Sequence, residues 1–191
     1  MEDGRLVTAI LSTVSPVFGT AEPLASGEAI INRLIANGGL TTTLATGTVT
    51  FTYWKAATSG VCANVLTATA GTAASGLTYA AVGVYSVDAS GNLTLLGSTG
   101  DLHTTLWINT FTAYTSPLVF TRQAGAKYAL GALAVGTTPP SLAAGSDYFL
   151  FNPSAPIVFG SLSGQSVLPA SVTAGSIGTG QSGGVQAVVA P

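Results

Sequence analysis

Asp101 and His103 are the two residues of this chain best placed by spacing to do acid–base chemistry. A carboxylate beside an imidazole can orient the ring to take up a proton. A hydrolase, however, also needs a nucleophile on a strained turn, and no G-x-S-x-G occurs in the sequence. His103, the only histidine, sits in a Thr-rich stretch and reads as a loop residue or an interface hydrogen-bonder. Asp88, Ser90 and Asn92, spaced like the opening of a calcium loop, form the second cluster. The twelfth position of such a loop should carry a bidentate Glu, and here it is Thr99. An Asx turn accounts for the same three residues without a metal. Cys62 is the sole cysteine, which excludes an intrachain disulfide and a thiolate cluster; its apolar, alternating surroundings, Val61–Thr69, mark it as a core residue. None of the many glycines opens a phosphate-binding loop followed by Lys-Ser or Lys-Thr. The expectation is no catalytic residue, no bound metal and no cofactor.

Aromatic rings offer a different chemistry, stacking on the apolar faces of sugars. Tyr53, Trp54, Tyr85, Trp107, Phe111 and Tyr114 are the candidates. In a β-domain most such rings belong to the core. Trp107, in the Thr-rich and loop-like Leu102–Thr115 stretch, is expected to be exposed and is the residue assigned to glycan contact.

The elements that must position these residues are written in an unusual composition. Five Lys/Arg and seven Asp/Glu are the only formal charges in 191 residues, and none falls in 56–87 or 148–191. Ordinary soluble domains are about one-quarter charged, and that charge keeps their surfaces apart. A surface so poor in charge implies cover by neighbours, hence a building block of a larger assembly. A net charge of −2 excludes electrostatic nucleic-acid binding and offers no polybasic handle to anionic lipid. Apolar runs such as Ala129–Val135 fall well short of the roughly 20 residues that cross a bilayer. Leu6–Phe18 has the length of a signal-peptide core, but Glu2 and Asp3 precede it, and Ser12, Thr13, Ser15 and Pro16 interrupt it.

Abundant Thr, Val and Gly with little Lys or Glu predict an all-β domain. Residues 1–26, broken by Pro16 and Pro23, read as an arm. Ser26 is placed to cap a helix over Glu28–Ala36 that Gly38 would close, although its isoleucines also suit a strand. From Thr48 to Trp54 the period is two, with Val49, Phe51 and Tyr53 on one face and both faces available for burial. Tyr79–Val87 and Leu93–Leu96 form a hairpin across Asp88–Asn92. A second hairpin is expected between Leu118–Phe120 and Tyr128–Val135 across Gln123–Gly125. After Pro139–Pro140, residues 141–191 are rich in Gly and Ser. They nonetheless carry Phe149, Phe151, Ile157, Phe159, Leu162 and Leu168, and so read as ordered coil packed on a single domain of residues 27–191, with strand-like pieces at Pro156–Phe159 and Val185–Val189.

The hairpin Tyr85–Leu95 resembles a β-domain of minor tail and fibre proteins of tailed phages that infect actinobacteria. Further segments are similar in the same order: Thr46–Thr48 with Phe51–Trp54, Ala70–Gly76, Thr105–Trp107, Thr112–Thr115, Ala124–Gly131, Leu162–Gln165 and Leu168–Ser171. The resemblance covers roughly residues 27–191. It implies an antiparallel jelly-roll-like β-sandwich, a homotrimer, and binding to host-surface glycan; it assigns no site residue. The partners so expected are sister subunits, other tail or capsid proteins and host cell-wall polysaccharide, with no nucleic acid and no membrane. The expected function is a non-enzymatic virion protein, a minor tail or tail-tip module for host attachment. Only a short arm precedes the domain, which keeps a second role open, capsid decoration or a head fibre. A third is a secreted bacterial carbohydrate-binding module.

Overall fold

The computed structural model describes residues 22–24, 27–29, 41–146, 159–179 and 183–191. Among them are fourteen strands, one short 3-10 turn at Ala174–Ser176 and no α-helix. In chain order the strands are β1 (Glu22–Leu24), β2 (Gly27–Ala29), β3 (Thr41–Thr43), β4 (Val49–Lys55), β5 (Gly60–Ala68), β6 (Ser75–Val87), β7 (Leu93–Ser98), β8 (Ala113–Arg122), β9 (Lys127–Thr138), β10 (Ser141–Ser146), β11 (Phe159–Leu162), β12 (Ser171–Val172), β13 (Gly183–Val185) and β14 (Ala187–Ala190). They make an all-β sandwich of antiparallel sheets. The largest sheet runs β11-β4-β9-β6-β7-β12, the second β1-β2-β14-β5-β8, and a small third β13-β10-β3.

The six-stranded sheet is buried on both sides, and the period-two pattern of its strands shows how. Along β6, Ala80, Val82 and Val84 enter the core between the sheets, while Ala81 and Tyr85 point the other way. Along β9, Tyr128, Leu130, Ala132 and Ala134 face the inner core, and Ala129 and Leu133 the outer one. Facing the inner group across the sandwich are Cys62, Val65, Leu118, Phe120, Ala187 and Val189 of the second sheet. The outer group is roofed by the chain's own C-terminal segment, which lays Leu168, Val172 and Ile177 over Val49, Phe51, Tyr85 and Leu93. Gly83 and Gly131 are cross-strand partners beneath that roof. A Cβ on Gly83 would lie 2.9 Å from the Leu168 and Leu95 methyls, so the missing side chain is the hollow that Leu168 fills.

Three expectations need correction. Gln123–Gly125 does not turn a hairpin. β8 pairs with β5 while β9 pairs with β4 and β6, so the turn carries the chain from one sheet to the other. Its backbone is held instead to the start of the β4–β5 connection, where Gly125 N–H donates to the Ala56 carbonyl and Ala56 N–H to that of Ala126. Of the expected helix, Glu28 and Ala29 lie in β2, paired with β1 and β14, and the remainder falls outside the described residues. Neither Glu28 nor Ala29 is β-branched, so pairing with β1 and β14 overrides a local preference that would suit a helix. The described part of residues 141–191, expected as ordered coil with two strand-like pieces, supplies five short strands. The strand-like piece at Pro156–Phe159 is described only from Phe159, where β11 begins, and Val185–Val189 is split at Gln186 between β13 and β14. Of the arm, Glu22–Leu24 forms β1; residues 1–21, with the Leu6–Phe18 run, lie outside the described residues.

Candidate functional site

Residues 99–112 connect β7 to β8 and hold Asp101, His103, Trp107 and Phe111. The loop leaves β7 by continuing alongside β6. Thr99 N–H donates to the Val82 carbonyl and Leu102 N–H to that of Ala80. Two side chains extend the ladder, Thr99 Oγ1 accepting from Val82 N–H and Asp101 Oδ1 from Ala80 N–H. Leu106 then closes one turn on Leu102, and the chain returns through bonds from Ala74 N–H to the Trp107 carbonyl and from Phe111 N–H to that of Ala70. Thr69 Oγ1 pins the far end, donating to the Asn109 carbonyl at 2.6 Å and accepting from Thr112 N–H.

Trp107 is the principal correction. Its side chain is fully buried in the inner core at 0 % exposure, and its indole N–H donates to Thr67 Oγ1 at 2.9 Å. A ring so enclosed offers no face to a sugar. The residue sits at φ 64°, a left-handed conformation that costs a bulky residue about 1–2 kcal/mol. Burial of the indole and its satisfied N–H offset that strain, so the tryptophan anchors the loop. The anchored loop exposes other residues. Phe111, also left-handed at φ 49°, is 82 % exposed, and Ile108 is 45 % exposed. The remaining aromatics divide as core and rim: Trp54 and Tyr85 are buried, Tyr53 and Tyr114 half-buried. Tyr53, largely removed from water, has its hydroxyl pKa pushed up to about 12 by burial.

The Asp101–His103 pair forms, with His103 Nδ1 2.9 Å from Asp101 Oδ2. Asp101 is already engaged by the backbone N–H groups of Ala80 and His103. Partial desolvation pushes its carboxyl up, but these bonds and the imidazole together hold it below its ordinary 3.8. Its geometry is that of a loop staple. Asp88 has the same character. Its Oδ1 accepts from Ser90 and Asn92 N–H and its Oδ2 from the Asn92 amide, each at 2.8 Å. The Asn92 side-chain and backbone bonds lead in holding this carboxyl below 3.8. Both oxygens thus close the Asx turn. The other end of Asn92 reaches outward, its Oδ1 accepting from Ala174 N–H and tying the hairpin to the C-terminal roof. Cys62 is buried in the inner core on β5. Among the described residues no three His, Cys, Asp or Glu gather as a metal site, and no helix is long and apolar enough to cross a membrane.

A surface free of reactive residues lies on the outside of the second sheet. Leu118, Phe120 and Arg122 of β8 point inward, so Ala113, Thr115, Pro117, Val119 and Thr121 point out. Val119 is 65 % exposed and Val61, opposite Thr121 on β5, is 61 % exposed. The alternation in Thr115–Arg122 carries this signal in the sequence, since burying Leu118 and Phe120 forces Val119 to solvent. No family model, curated protein or solved structure matches the chain.

Proposed function

We propose that this chain is a structural, non-enzymatic protein of a tailed-phage virion, a module of the tail tip that contacts the host surface. The observation that carries the reading is the exposed side of the second sheet, where Val61 and Val119 stand in water and the outward-facing residues of β5, β8 and β14 carry no formal charge. Isolated soluble domains keep such a face charged; subunits of an assembly cover it. The ordered series of segments that resemble minor tail and fibre proteins supplies the virion context and the jelly-roll-like connectivity that belongs to this proposal. With Trp107 buried, the ring that its loop offers to a host glycan is Phe111, flanked by the exposed Asn109 and Thr110.

The same bare face favours a second reading, a decoration protein or head fibre packed in a lattice on the capsid. Gold-labelled antibody on intact virions separates the two. Label at the tail tip is the expected outcome; label over the head replaces attachment by decoration, and virions without label overturn both and leave the secreted bacterial module.

A further inference from the structure

We propose that the outer face of β5, β8 and β14 is a self-association surface, covered by the same face of a second copy of this chain. Among the outward-pointing residues on these strands are Val61, Thr115, Pro117, Val119 and Thr121, with Leu66 and Val188 half-buried beside them. Of the six large hydrophobic side chains exposed among the described residues, two, Val61 and Val119, lie on this face. Two more, Ile108 and Phe111, lie on the loop that leads into the Ala113 end of β8.

Charge selects the occupant. A partner that carries a strong positive or negative patch gains nothing from a face with no counter-charge, and it loses hydration on docking. A neutral, pleated, Thr/Val-rich partner loses little. The chain itself is such a partner: its net charge is only −2, so two copies repel weakly. Two flat sheet faces also pack naturally, about 10 Å apart with interdigitating side chains, which is how this protein already joins its own sheets. Ten residues of β8 at about 3.3 Å each, with β5 beside it and the short β14 beyond, give a projected area of roughly 350–400 Å². That is about half of the 800 Å² per partner of a standard interface. The contact therefore draws in the Ile108–Phe111 loop at its rim. The free edge of β8 is a poorer alternative, because β7 crowds it: a Cβ on Gly97 would run into the Val119 carbonyl oxygen.

The inference rests on reading the chain as an assembly subunit, and its test uses the purified protein alone. Light scattering coupled to size exclusion, run from about 1 to 200 μM, is expected to show chains passing from monomer to a species of two or more copies. Val119→Lys and Val61→Lys place like charges opposite one another and are expected to raise the dissociation constant at least about tenfold, with an unchanged melting temperature for the monomer. Leu96→Lys, on exposed β7 of the other sheet, is expected to leave association unchanged. Association is further expected to persist from about 0.05 to 0.5 M salt, since no ion pairs hold it. A wild-type chain that stays monomeric throughout, or a Leu96→Lys effect equal to that of Val119→Lys, overturns the surface. A monomer found on virions overturns this surface and leaves the virion role standing; an oligomer absent from virions does the reverse.

Discussion

The outer faces of the two large sheets began from similar material and ended differently. Both are built from period-two strands of Val, Ala, Thr and Leu, and both turn apolar residues away from the shared core. Over the six-stranded sheet the chain folds back on itself, placing Leu168, Val172 and Ile177 on Phe51, Tyr85 and Leu93. Over the five-stranded sheet no described segment does so, and Val61 and Val119 remain in solvent. The difference lies in side-chain size. The first face carries rings and a hollow at Gly83 that a covering leucine can enter, with Phe51 and Tyr85 edge-to-face at 5.4 Å. The second carries no aromatic ring, only Thr, Val, Pro, Ala and the half-buried Leu66, and suits another sheet better than a thin strap. A face that buries large side chains can be closed from within, whereas a shallow one gains enough only from a broad partner.

The largest test of this contrast is a matched pair of truncations. Leu168→Ala empties the Gly83 hollow and is expected to cost about 2–4 kcal/mol in urea unfolding. Val119→Ala on the bare face is expected to stay within about 0.5 kcal/mol for the monomer. Equal costs would erase the distinction between a closed face and an open one. A smaller effect of opposite sign is expected beneath the roof. The Tyr85 hydroxyl is buried without a hydrogen-bond partner, and burial first, then Tyr79, pushes its pKa up. Tyr85→Phe removes that orphan and is expected to stabilise the fold by about 0.5–1 kcal/mol, read as a rise in the denaturation midpoint.

Acid provides the finest discrimination. Asp88 closes the turn that, through Asn92, holds Ala174 of the roof. Its folded carboxyl titrates below the ordinary 3.8, so the associated stability is present above that value and is lost as pH falls through the lower folded value. Hydrogen exchange at Val172 in the roof is expected to quicken below about pH 4, ahead of exchange in β8, whose described strand carries no acid. Asp88→Asn should remove the dependence; simultaneous loosening of both faces would show that the turn does not act through the roof.

Much of the large sheet could be read from residue order. The two-residue period of Val49–Trp54 named both faces of β4, and Asp88–Asn92 marked the β6–β7 hairpin because Asx-turn chemistry is local. The turn at Gln123–Gly125 was equally visible, but its partner strands were not. Periodicity reports which side chains share a face and says nothing of which strand lies alongside. Trp107 failed for a related reason. Its Thr-rich neighbours read as loop, and they are loop, yet the indole is drawn into a hole between sheets that only distant strands create.

Composition and local pattern by themselves determined an all-β chain, its principal hairpin and a surface short of charge. These follow from backbone preference and solvation, which act residue by residue. Tertiary structure alone decided that β8 and β9 belong to different sheets, that the C-terminal segment roofs one face, and that Trp107 is an anchor with Phe111 outside. Each depends on packing between residues far apart in the chain, where shape and free volume, fixed only once the sheets meet, choose the partner.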